Sequence, residues 1–383
     1  MKDYEQVPKR TVGSLTHSEL RADGWRILEK QFAHKTIVTK PHDLTYGYYV
    51  THDLAKKQEN GRVPVLLMLH GFPDDAYMWA STLPTLTALP YPIIIPDLLG
   101  YASSSKPTDP KLYAYTQQAS SLIQILDQEG VLNNVIVVGH DWGSAVTQRF
   151  FLLHKERCVG LAPTSLFYFP PSETAFNLPE MNRATEKRFG YQQWAYWEFF
   201  TAADGPKLMH QNLERLYEAL HGEKPSEDPQ EDGRDIWMRE LFCLPGTMRE
   251  YVMNRGRYQD WHVPLKPYAQ DEVLKERWIQ RLQRDGLEAP ICYYEALKHN
   301  INLDTDRELI QDPEFCTITK PYLYIAFTGD WVPRTDLIQE AVEQGLITDF
   351  ERHTVRAGHW ALYEKPQEIA EILADWLKRR FPV

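Results

Sequence analysis

No run of about eighteen or more apolar residues, the length a membrane-crossing helix needs, occurs in the 383 residues, so no such helix is expected. Cysteine is scarce: Cys158, Cys243, Cys292 and Cys316 are scattered, with neither a dense disulfide pattern nor metal-ligand spacing. A basic surplus is also missing. Asp and Glu number 53 against 42 Lys and Arg, a formal charge of -11. That balance opposes nucleic-acid binding, whose affinity rests on neutralised phosphates. The opening MKDYEQVPKR lacks the apolar stretch of a secretory signal, and the closing RRFPV carries no retention or peroxisomal tripeptide. The compartment expected from these absences is the reducing cytoplasm. Repeats and low-complexity tracts are absent as well.

What is present suits a large globular core, with 43% hydrophobic and 25% charged residues. Eleven Trp and 21 Tyr serve core packing and can also shape an apolar pocket with hydroxyl and indole donors. Residues 25 to 51 read as a leading antiparallel pair, with alternation in LTYGYYVTH. Three almost wholly apolar runs follow, Val63 to Leu69, Tyr91 to Ile95 and Val135 to Val138, each ending at Gly, Pro or Asp before a plausible helix. Strands apolar on both faces and joined by helices predict a parallel sheet. The pattern returns in YLYIAFTGD (322–330), FERHTVRAGH (350–359) and the amphipathic KPQEIAEILADWLKRRF. Between them, residues 166 to 315 are rich in Trp, Tyr, Pro and charge, and read mainly helical. They include GEKPSEDPQEDGRD (222–235), expected as a solvated loop. The expected organisation is an α/β core over 1–165, a helical lid over 166–315 and the rest of the core over 316–383. Such a lid would close the ligand crevice at the carboxyl ends of the strands.

The sharpest motif is VIVVGHDWGSAV. An apolar strand enters Gly139-His140-Asp141-Trp142-Gly143 and leaves as a helix, the Gly-x-nucleophile-x-Gly elbow. Its central residue is Asp141, and a carboxylate needs no base to become an oxygen nucleophile. His70-Gly71-Phe72-Pro73 ends an earlier strand, where the second oxyanion donor arises in this arrangement. The backbone N–H groups of Phe72 and Trp142 are therefore the expected pair. Asp97, in IIIPDLLGYASSSKP, reads as a residue that orders its loop. Late in the chain, Asp330 ends a strand and His359 follows the last one. The order nucleophile, acid, histidine suits the α/β-hydrolase constellation, with Asp336 as the other candidate acid.

Taken in order, HGFP, DLLGYASSSKP, GHDWG, GDWV and GHW-x-x-x-x-KP make the chain resemble the epoxide hydrolases of the α/β-hydrolase superfamily over nearly its whole length. The resemblance implies an α/β-hydrolase fold with a helical cap and no cofactor or metal. It implies Asp141 as nucleophile, His359 as general base and Asp330 as the acid that orients it. Two cap tyrosines protonate the epoxide oxygen in that family. FGYQQW resembles the first site, giving Tyr191; CYYEALKHN resembles the second, giving Tyr294, with Tyr293 beside it. The chain departs from the pattern at Glu295, where related sequences often have Arg, and at Ala102, a common glycine. The expected partner is a small-molecule epoxide, sizeable and apolar to suit the aromatic-rich lid, bound by a monomer or homodimer. A haloalkane dehalogenase would share the same acid, base and nucleophile, with Trp142 and Trp194 or Trp197 holding the halide. An epoxide-opening cyclase would redirect them. An esterase is disfavoured, because carboxylate attack on an ester gives an anhydride that reverts. A ligand receptor would leave the complete constellation without work.

Overall fold

The computed structural model describes residues 15–57, 63–228 and 235–383. The opening MKDYEQVPKR and residues 229–234 of the expected loop lie outside the described residues. Helix α1 (His17–Gln31) opens the described chain on a capping box, in which Thr16 and Glu19 satisfy each other's backbone N–H. The antiparallel pair expected from residue 25 therefore begins only at Phe32. Strands β1 (Phe32–Thr39) and β2 (Leu44–Thr51) pair antiparallel in unbroken register from Phe32–Thr51 to Thr39–Leu44.

β3 (Val65–Leu69), β4 (Ile93–Pro96), β5 (Val135–His140), β6 (Cys158–Thr164), β7 (Tyr322–Phe327) and β8 (Phe350–Val355) complete an eight-stranded sheet ordered β1-β2-β4-β3-β5-β6-β7-β8. From β4 onward every pairing is parallel. Every residue of β3, β4, β5 and β7 is buried, as strands covered on both faces must be. Helices α2 (Tyr115–Gln128), α3 (Trp142–Leu153) and, at the end of the chain, Pro366–Arg380 supply that cover. The order places β5 at the middle of the sheet, flanked by β3 and β6.

Among the described residues no sheet strand lies between Thr164 and Tyr322. That stretch holds α4 (Leu178–Phe189), α5 (Glu272–Asp285), α6 (Glu288–Lys298), α7 (Leu303–Leu309) and several shorter helices, together a cap. Its seating uses buried charge. Lys266, 6% exposed, ion-pairs with Asp235 and with Glu364, both at 3.0 Å. Arg281 of α5 donates to the Pro73 carbonyl (2.6 Å), and Arg277 pairs with Asp75 (2.7 Å). Breaking one partner of such a pair strands the other in a poorly solvated site, so the cap has a fixed register on the core. Among the described residues no helix is long and apolar enough to cross a membrane.

Candidate active site

Asp141 sits where β5 turns into α3, at φ 51° and ψ -124°. This is a strained conformation for a residue with a side chain, of the kind found at functional sites. Crowding dictates the flanking glycines: a methyl group at Gly143 would run into the Leu69 carbonyl, and one at Gly71 into the Asp141 side chain. The turn lifts the carboxylate to the amino end of α3, where backbone N–H groups favour negative charge. Oδ1 accepts the N–H of Phe72 at 2.8 Å, and the Trp142 N–H also stabilises the carboxylate. Oδ2 lies 3.6 Å from Nε2 of His359. One oxygen is thus held and the other faces the histidine.

His359 donates from Nδ1 to Oδ2 of Asp330 at 2.6 Å. Asp330, 1% exposed, also accepts from the Ser165 hydroxyl (2.9 Å) and the Val332 N–H (3.1 Å). Those bonds fix the ring so that Nε2 addresses Asp141. Burial opposes charge on His359, but Asp330, with help from Asp141, outweighs it and raises the pKa to about 9. Burial raises the Asp141 carboxyl above its ordinary value, against the pull of His359 and the two N–H groups. Asp336, the other candidate acid, pairs instead with Arg334 (3.0 Å) at a half-exposed surface.

A cavity of about 330 Å³ opens over Asp141 and His359, walled largely by Phe72, Trp142, Phe176, Trp197, Phe200 and Phe242. Tyr196 and Tyr294 line it, and burial followed by the nearby Asp141 charge holds Tyr196 well above the ordinary phenol value. Tyr294 is likewise well above it, chiefly through burial. Both therefore remain protonated across the neutral range. Among the described residues no cluster of three or more His, Cys, Asp and Glu could hold a metal ion.

A profile described as the α/β hydrolase fold matches residues 64–366. The chain belongs to that family. Among its relatives, epoxide hydrolase A of Mycobacterium tuberculosis is 27% identical over 82% of this chain and 90% of its own. Epoxide hydrolase srdG of Neurospora crassa is 24% identical, covering 92% and 97%. The crystal structure of epoxide hydrolase A from Mycobacterium thermoresistibile superposes with a TM-score of 0.69 at 23% identity, over 91% of this chain and 98% of that one.

In this α/β-hydrolase fold the structure brings Asp141, His359, Asp330, Phe72, Trp142 and Tyr294 to one place, but not Tyr191. The Tyr191 hydroxyl donates to the Trp331 carbonyl (3.2 Å) and accepts from Arg334 (3.3 Å), outside the cavity. α4 ends at Gly190 in a left-handed turn, which sends the next residue outward. The position facing Asp141 belongs to Tyr196. Its signal in the sequence is an aromatic stripe at helical spacing, Tyr196, Trp197 and Phe200, all of which line the cavity. Tyr293 points elsewhere, packing on Tyr101 and Tyr113. Ser165 and His140 were also not legible as site residues; His140 donates from Nε2 to the His359 carbonyl (2.8 Å) and steadies the loop. Asp97 orders its loop, accepting from Ala76 N–H (3.0 Å) and Ser103 N–H (3.1 Å).

Proposed function

We propose that this hydrolase-fold protein opens epoxides to vicinal diols through an alkyl ester on Asp141. The observation that carries the reading is the division of labour at one carboxylate: Oδ1 sits on the Phe72 N–H while Oδ2 faces the cavity and His359. The names of the relatives, epoxide hydrolases in each case, support it.

Oδ2 attacks a ring carbon while Tyr196 and Tyr294 hydrogen-bond the ring oxygen and one of them delivers its proton. Alkylation removes the Asp141 charge, one of the influences that raise His359. The imidazolium then gives up its proton more easily, and through it the phenolate is restored. Neutral His359, held in one tautomer by Asp330, activates water for attack on the ester carbonyl carbon. The negative oxygen that develops there is Oδ1, already seated on the N–H groups of Phe72 and Trp142. Collapse expels the diol oxygen, which takes a proton from the His359 imidazolium, and the re-formed carboxyl gives its own proton back to the ring to return the carboxylate.

Two outcomes follow at this level. Tyr196→Phe is expected to lower kcat by about 10²-fold, and the double change with Tyr294→Phe further, as for lost general acids; Tyr191→Phe is expected to stay within about threefold. Steady-state diol formation measures all three, and equal losses at Tyr191 and Tyr196 would contradict the assignment. The second concerns pH. Attack needs ionised Asp141, whose carboxyl is raised, so kcat/KM falls as pH drops through a value above the ordinary carboxylate range. No alkaline loss of the acid is expected near neutrality, because both phenols are raised.

The direct test is turnover of styrene oxide beside a bromoalkane. Diol without bromide supports the reading; bromide without diol replaces it with halide displacement. One observation favours that second reading: the indoles of Trp142 and Trp197 pack together, 5.9 Å between ring centroids, at the cavity beside Asp141. We assign the protein to the cytoplasm as a monomer or homodimer, a compartment where its four unpaired cysteines stay reduced.

A further inference from the structure

The far end of the cavity carries polar side chains that this chemistry does not use. Along α3, Asp141, Ala145, Gln148 and Arg149 face the cavity, a stripe at helical spacing. Arg149 stands eight positions beyond the nucleophile, about 12 Å along the helix axis. There its Nη2 donates to Oδ2 of Asp306 (3.0 Å), which also accepts the Ser172 N–H (3.2 Å). Nη1 lies 3.0 Å from Oδ1 of Asp306 but out of hydrogen-bond alignment. Beside them Asn302, only 7% exposed, lines the same wall. Its Oδ1 accepts the N–H of Tyr115, the first residue of α2, at 2.8 Å. That bond fixes the amide, since only its oxygen can accept. Its Nδ2 makes no hydrogen bond among the described residues and belongs to a side chain facing the cavity.

We infer that this end is a subsite for an uncharged oxygen acceptor, a carbonyl or hydroxyl, carried on the epoxide's substituent about 10 Å from the ring. The inference rests on Asp141 as the nucleophile. An acceptor fits because the neighbouring amides are spent and the groups left over are donors. Asn300 accepts the Phe176 N–H (2.6 Å) and donates to its carbonyl (3.1 Å); Gln148 accepts the Phe169 N–H (3.3 Å) and donates to the Phe167 carbonyl (3.1 Å). Both Asp306 oxygens already face donors. The donors left over include the Asn302 amide N–H, which has no partner among the described residues, and Nη1 of Arg149, which is buried without one and so disfavoured until an acceptor reaches it. The acceptor is uncharged because Asp306 offsets Arg149, and burial already raises the Asp306 carboxyl; a second anion would meet no net positive charge. The substrate class is therefore a long apolar epoxide with one carbonyl or hydroxyl well removed from the ring.

The test compares an unbranched terminal epoxide with the same chain bearing a keto group about eight bonds from the ring, a reach set by the helix rise. In the unaltered protein the keto substrate is expected to have the higher kcat/KM, by about tenfold for one well-made hydrogen bond. Asn302→Asp keeps an oxygen for the Tyr115 N–H but exchanges the free donor for an acceptor. It is expected to bring the ratio to about one or below. No preference in the unaltered protein, or a ratio that survives in Asn302→Asp, overturns the subsite. Binding of the matching long-chain ketone and alkane, read by quenching of the cavity tryptophans, separates the two claims. Tighter ketone binding with no epoxide turned over keeps the subsite and rejects the reaction; diol formation with equal binding rejects the subsite alone.

Discussion

Asp141→Ala is expected to lower diol formation by about four to six orders of magnitude, the scale on which loss of a nucleophile acts, while the protein stays folded. Two stability effects oppose each other. Burial raises the Asp141 carboxyl, so at neutral pH its charged form costs stability, and removing it recovers that cost. Against this, alanine leaves the Phe72 N–H without its acceptor, a loss of about 1 kcal/mol, while the strained φ is the same in both chains. The melting temperature should therefore shift by only a few degrees. Measured diol formation within tenfold of the unaltered protein, in a folded variant, would remove Asp141 from the chemistry.

His359→Gln is expected to separate the two half-reactions. Ring opening needs Asp141 and the tyrosines, which the substitution leaves in place. Ester hydrolysis needs a proton acceptor at Nε2, and glutamine provides none. The second step should slow by about 10²- to 10⁴-fold, so the alkyl-enzyme accumulates. Asp330 keeps its bonds from Ser165 and Val332, so the pocket around the missing ring stays organised. Intact-mass spectrometry after brief mixing should show one equivalent added with the full mass of the epoxide. An adduct smaller by the mass of a halide, from a bromoalkane, would mark halide displacement instead. Unmodified protein with normal turnover would remove His359 as the base.

The parallel sheet was legible because burial on both faces leaves a continuous apolar run. β3, β4, β5 and β7 are such runs, and each was placed within a few residues. The elbow was legible for a related reason: backbone crowding at Gly139 and Gly143 admits only glycine, so the spacing survives as a pattern. α1 was less so. Its apolar residues are few, its capping box marks only its start, and at its other end Gln31 runs straight into Phe32 of β1. The cap shows where local reading stops. Whether a tyrosine faces in or out there depends on the turn at Gly190 and on Trp331 across the interface, neither of which a local motif encodes. Ala102 makes the converse point: a left-handed φ of 40° is held by a residue with a side chain, where no glycine marks the turn in the sequence.

Repeated turnover in heavy-oxygen water, followed by mass analysis of the peptide containing residue 141, tests the covalent step most directly. If the ester forms on Asp141 and water attacks its carbonyl carbon, each cycle leaves a solvent oxygen in that carboxylate, and the peptide grows heavier with turnover while the first diol released carries light oxygen. A peptide that stays light while diol accumulates would mean that water attacks the epoxide itself, with no bond to the protein.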